Sequence, residues 1–232
     1  FVDGRYTIQA EIECGNTFKI LEIPRYSPRN IITKNKKKLT IGFDPQLITK
    51  LNIKKNFNND FILKPINKNL IDEIISPQKR KGVKPFYNLS QKITGESVSS
   101  KIKRLIKELE SKKIDNIFIS APENVAWLLN LRGSDNPHSP IPNSKLILTK
   151  SRKIYFFSCP KKIFKMKNVL EYKNLKFSKY QDFEKIIKNL KGKKFCIDKL
   201  TCSISNQNII GSMFKIISEI DPCYHMKSIK NK

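Results

Sequence analysis

Histidine is nearly absent from this 232-residue chain: only His138 and His225 occur, against 46 Lys plus Arg and 20 Asp plus Glu. A hydrolytic metal centre needs several His, Asp and Glu side chains that converge. With so few His the sequence nominates no metal ligand and no catalytic residue. The signatures of the common nucleophilic and phosphate-binding enzymes are missing too, with no GxSxG, Walker, GxGxxG or HExxH pattern. The cysteines Cys14, Cys159, Cys196, Cys202 and Cys223 form no C-x-x-C pair. Nothing in the sequence supplies a base that would make Cys159 or Cys202 a nucleophile. No run approaches the roughly 18 apolar residues of a membrane span. An odd number of cysteines without a secretory leader points to a reducing compartment, the cytoplasm.

Positive charge is abundant, a formal +26 at pH 7. A field of that size draws nucleic acid or anionic surfaces at low salt. Yet the basic residues are spread along the whole chain, with Lys36-Lys37-Lys38 and Lys79-Arg80-Lys81 as the short runs that stand out. A dedicated binder concentrates them on one element, so the spread favours a solvated surface over a nucleic-acid interface. A free-standing basic module for nucleic acid or an acidic partner is the alternative reading. It predicts binding that weakens steeply with salt.

Hydrophobic content of 39% is that of a globular protein. Phe1 to Tyr6 reads as a strand end with nothing before it to pair with, followed by a turn and by weak helical spacing to Ile12. Strands are expected at Leu39–Asp44 and Phe61–Ile66, a helix start at Pro45–Leu51, and a brief helix at Asn69–Ile75. From Ser76 to Gly95 the apolar pattern lapses among Pro, Gly and basic residues, which has the look of a linker. The expected division is therefore a first domain with its linker over 1–92 and a second over 93–232. In the second, Ser99–Lys113 is a clean amphipathic helix with Ile102, Leu105, Ile106 and Leu109 on one face and Lys, Arg and Glu on the other. A buried strand Asn116–Ser120 follows, then a hairpin of Lys145–Thr149 and Ile154–Phe157 around Lys150-Ser-Arg152. A helix at 179–190 stopped by Gly192, a strand Lys194–Asp198 and a helix at 205–213 capped by Ser203 or Ser205 complete it. Residues 221–232 read as a tail. Alternating helices and short strands with one hairpin give an α/β fold, with mixed sheets flanked by helices.

Between strand and hairpin, Asn124 to Pro140 changes character. Val125, Leu128 and Leu129 fall at helical spacing around Trp127, the single Trp. The helix cannot continue past Leu131, where Gly133 allows a positive φ and Asp135, Asn136, Pro137 and Pro140 set turns. Arg132, Ser134, Asp135 and His138 are thereby presented on a shaped loop. Arg132 and Asp135 either hydrogen-bond the loop's own backbone or line a cleft facing another domain. Asp3 with Arg5 reads as a turn-stabilising pair.

Ala126-Trp-Leu-Leu-Asn-Leu-Arg-Gly-Ser-Asp135, with Pro137 and Pro140 after it, resembles the middle domain of the three-domain Xaa-Pro aminopeptidases of the creatinase/prolidase family. Phe1-Val-Asp-Gly-Arg-Tyr6 with Gln9-Ala10, Ile41-Gly-Phe-Asp-Pro45, Asn69-Leu-Ile-Asp72 and Lys227-Ser-Ile-Lys-Asn231 resemble further family segments in the same order. The resemblance implies two creatinase-type N-terminal domains, the first incomplete, and an absent catalytic domain that holds two divalent metal ions, commonly manganese. It also implies a peptide substrate cleaved before proline, contacts within a homo-oligomer, and a chain inactive by itself. On that reading Arg132, Gly133, Ser134, Asp135 and His138 form the surface turned toward the catalytic domain.

Overall fold

The computed structural model describes residues 1–32, 39–57, 61–66, 68–74, 84–164 and 172–230. The basic runs at 36–38 and 79–81, residues 76–83 of the expected linker, and the last two residues lie outside the described residues; the rest of the expected linker, 84–95, carries a short strand and a short helix. The chain divides into two compact units, Phe1–Leu70 and Ile71–Lys232.

In the first unit, β1 (Val2–Asp3) pairs in parallel with β2 (Glu22–Ile23), so the strand at the start of the sequence does have a partner. A tight 3-10 turn at Gly4–Tyr6 leads into α1 (Thr7–Cys14). The turn is pinned by the expected pair: Arg5 donates to Asp3 from its backbone N–H at 3.0 Å and from Nε at 2.9 Å. Those hydrogen bonds from Arg5 hold the Asp3 carboxyl below the usual carboxylate range. After α2 (Pro28–Ile32), β3 (Leu39–Phe43) and β4 (Phe61–Pro65) pair in parallel across α3 (Lys50–Asn56). The helix starts at Lys50, not at Pro45. Asp44 Oδ1 accepts from the Gln46 N–H at 2.8 Å and holds the Pro45 segment in a turn. Thr49 then caps the helix by accepting from Asn52 N–H at 3.1 Å. The short helix expected near residue 70 is α4 (Leu70–Ile74).

In the second unit, β5 (Tyr87–Asn88) and α5 (Gln91–Thr94) precede α6 (Val98–Ser111), β6 (Asn116–Ile119), α7 (Pro122–Leu128) and β7 (Leu131–Arg132). Then come β8 (Lys145–Thr149), β9 (Ile154–Phe157), α8 (Pro160–Phe164), β10 (Leu175–Ser178) and α9 (Phe183–Lys188). The unit closes with β11 (Lys194–Ile197), α10 (Ile204–Gly211), β12 (Lys215–Ser218) and α11 (Pro222–Ser228). Six strands form one sheet in the order β10-β9-β8-β6-β11-β12, in which β8 alone runs against the others. Strand alternation sorts side chains to two faces. Ile117, Ile119, Leu146 and Leu148 meet α6, α7 and α11 on one face, while Phe118, Ile147, Phe195 and Ile197 meet α9 and α10 on the other. The sheet is thus covered on both sides.

Three expectations are corrected here. Residues 222–228 are no tail: Cys223 and Met226 of α11 are buried in the core shared by α6 and α7. The helix expected at 179–190 is a 3-10 turn at Tyr180–Asp182 followed by the shorter α9. Lys101 does not lie on a solvated face of α6; it is 2% exposed. It precedes Leu105 by one helical turn and shares its stripe. Gly192, expected to stop a helix, has φ +114°, and a Cβ there would lie 2.5 Å from Cβ of Asp115.

Candidate functional site: the 131–140 loop

The site begins where α7 ends. Asn130 follows with φ +52°, a left-handed conformation that Asn tolerates better than most residues. That turn directs Leu131–Arg132 to pair antiparallel with Tyr87–Asn88. Two cations reach carbonyls at and just after the end of α7, where the Asn130 N–H already donates to Trp127 O at 3.3 Å. Arg132 donates from one guanidinium nitrogen to Leu131 O at 2.8 Å and to Ala126 O at 3.3 Å. Lys101 donates to Trp127 O at 2.9 Å and to Asn130 Oδ1 at 2.6 Å.

Beyond Arg132 the loop closes on itself. The Gly133 N–H donates to Pro140 O at 3.0 Å, and the Asn143 N–H donates to Asp135 Oδ2 at 2.6 Å. Gly133 is required for a reason other than the one its sequence suggests. It has no positive φ; a Cβ would sit 2.9 Å from Pro142 Cα and 3.2 Å from the Phe86 ring. Asp135 also pairs with Lys162 of α8, whose ammonium is buried and lies 5.3 Å from the Phe86 ring centroid. The expected residues Arg132, Gly133, Ser134, Asp135 and His138 therefore share one loop, but two of them hold its framework. Arg132 and Asp135 bond backbone, as one of the two readings had it, while the Ser134 hydroxyl and the His138 imidazole are exposed. The His138 backbone N–H donates to Asn136 Oδ1 at 3.1 Å.

Sequence reasoning missed Lys101, Asn130 and Lys162. Lys101 had a signal, its four-residue spacing from Leu105. Lys162 had none, since its partner lies in a loop 27 positions earlier by the numbering of the two residues.

In open α/β sheets, ligands bind at the carboxyl ends of parallel strands. Here that edge is filled by the chain's own polar groups. After β6, Ser120 Oγ lies 2.7 Å from Thr201 Oγ1. After β11, Asp198 accepts from the N–H groups of Leu200 at 2.8 Å and Asp221 at 3.2 Å. Asn124 is fully buried and bridges Asp221, at 2.7 Å, to Lys227, also at 2.7 Å. Burial pushes the Asp221 carboxyl up despite the hydrogen bond from Asn124. Among the described residues, no group of three or more His, Cys, Asp or Glu side chains could hold a metal ion. No described helix is long and apolar enough to cross a membrane.

A family profile described as Creatinase/Prolidase N-terminal domain matches residues 77–232, about two thirds of the chain. The chain belongs to that family. Xaa-Pro aminopeptidase 1 of Dictyostelium discoideum is 27% identical over 100% of this chain, which spans 39% of that protein's length. Xaa-Pro aminopeptidase app-1 of Caenorhabditis elegans is 31% identical over 68% of the chain and 27% of its own length. The crystal structure of X-prolyl aminopeptidase from C. elegans, described as a cytosolic enzyme with a di-nuclear active site, superposes with a TM-score of 0.79 at 26% identity. That likeness covers 99% of this chain and 40% of the other. The mixed sheet covered by helices is in keeping with membership of that family.

Proposed function

We propose that this chain is the non-catalytic N-terminal portion of a metal-dependent Xaa-Pro aminopeptidase, an enzyme that removes the N-terminal residue preceding proline. The observation that carries the reading is the likeness of almost the whole chain to part of the C. elegans X-prolyl aminopeptidase. A first domain with its linker runs to residue 92, and the second runs from 93 into the lead-in to the catalytic portion. The two divalent metals, manganese being the expected pair, are assigned to that catalytic portion; among the described residues of this chain no group of three or more His, Cys, Asp or Glu side chains could hold one. No chemical step is assigned to these residues. Their work is to shape access to the cleft and to hold domains, and further copies in a homo-oligomer, in place. The loop suits that work. Its backbone is fixed from within by Arg132 and Asp135, which leaves Ser134 and His138 outward as contact groups. A cytoplasmic location is part of the same reading, supported by the description of the C. elegans enzyme as cytosolic.

The test is a chimera in which this chain replaces the matching part of the C. elegans enzyme, assayed on an Xaa-Pro peptide with manganese. The chimera is expected to turn over and the isolated chain is not. Release of the N-terminal residue by the isolated chain would overturn the assignment. If Ser134 and His138 were both replaced by Ala in an active chimera, and turnover and assembly stayed unchanged, the loop's contact role would be wrong.

A further inference from the structure

Lys101 is out of place by ordinary chemistry. Its side chain is buried, yet among the described residues no hydrogen bond joins its ammonium to a carboxylate. The charge is carried instead by the Trp127 carbonyl, the Asn130 amide oxygen and the face of the Trp127 ring, whose centroid is 4.5 Å away. These groups lie at one point of the fold, the joint between α7 and the loop. Asn130 is held from its other side as well, its Nδ2 donating to Glu96 O at 2.9 Å and its carbonyl accepting from Leu89 N–H at 2.9 Å. The segment before α6, α6 itself, α7 and the strand β5–β7 thus meet at a single ammonium and a single left-handed residue.

We propose that Lys101 is the positioning residue of the 131–140 loop, fixing the turn at Asn130 and so the direction in which Arg132 to His138 leave the domain. The consequence for peptide access rests on the function proposed above, but the positioning itself does not. A buried cation is costly, and an apolar side chain would pack the same stripe of α6 without that cost. What only the ammonium supplies is a simultaneous hydrogen bond to the helix end and to the residue that turns the chain. The titratable and charged groups around it are Glu96 just before α6, Arg104 on α6 itself, Arg132 of β7, and Cys223 of α11.

The chain carries its own reporter, because its single Trp is the ring under Lys101. The test compares Lys101→Met and Asn130→Gly with the unaltered 232-residue chain, reading amide exchange residue by residue together with Trp127 emission. The Gly133 and Leu89 amides report the loop and its entry, and those of β6 and β11 report the sheet. In Lys101→Met the Gly133 and Leu89 protection factors are expected to fall at least roughly tenfold relative to those of β6 and β11, with an altered Trp127 emission. Asn130→Gly keeps the left-handed turn accessible and removes only the side-chain link, and it should show the same local loss with the sheet intact. Loop protection that falls no further than sheet protection in both variants would overturn the proposal. Because no readout involves turnover, an inactive chimera would count against the proposed function and leave the positioning role standing.

Discussion

Helices α1 and α6 carry the same kind of apolar pair four residues apart and end in opposite environments. Ile8 and Ile12 of α1 are 74% and 78% exposed, whereas Leu105 and Leu109 of α6 are fully buried. Periodicity therefore supplies a stripe but does not decide what covers it. The described strands of the first unit form pairs, β1 with β2 and β3 with β4, and a two-stranded ribbon offers little surface to pack on. The second unit offers a six-stranded sheet, and each α6 side chain it covers gains about 1.5–3 kcal/mol from leaving water.

That contrast can be broken or sharpened by measurement. Leu105→Ala should lower the unfolding free energy of the second unit by about 2–5 kcal/mol, followed by Trp127 fluorescence in denaturant. Ile12→Ala should change stability by no more than about 0.5 kcal/mol, and equal losses in both variants would erase the difference. Next in size is a pH effect confined to the second unit. Burial, partly offset by Glu96, pushes the Lys101 ammonium down to about 8 from its usual 10.5. Between these values the unfolded chain holds the proton more tightly than the folded one. The Lys101 contribution to stability should therefore rise with pH across that window, so the stability of the unaltered chain should gain more, or lose less, between pH 8 and 10.5 than that of Lys101→Met.

Asp135→Asn should cost about 2 kcal/mol, because it leaves the buried Lys162 ammonium without its charged partner. The corresponding change of the exposed pair in the first unit, Asp3→Asn, should leave the denaturation midpoint where it is. A further pair of variants tests what the two units share. Ser97→Ala and Thr49→Ala each remove an N-cap, of α6 and α3, and each should cost about 1 kcal/mol whatever the depth of the core behind the helix.

The same contrast explains what the sequence could reveal. The helix α6, the strand β6 and the β8–β9 hairpin were legible because local alternation and turn residues specify them within a few positions. The loop was legible as a loop, since Gly133, Pro137 and Pro140 forbid a continuing helix. Its internal wiring was not. Asp135 finds Lys162, and Lys101 finds Asn130, through contacts that depend on where the sheet places the elements. For the same reason α11 went unseen: its cap, Asp221, is itself fixed by Asp198 and Asn124, each far away in sequence. Burial of Lys101 was hidden because composition classes every lysine as a surface residue.

The position of α11 in the chain also has a consequence for synthesis. The sheet grows outward from β6, first through β8, β9 and β10 on one side and then through β11 and β12 on the other. Most of the core under α6 is therefore encoded before residue 197, yet Cys223 and Met226 complete it. A nascent chain leaving the ribosome can form the hairpin and seat α6 early, but that face stays unsealed until α11 emerges. A chaperone that reads exposed apolar surface would have its longest opportunity there.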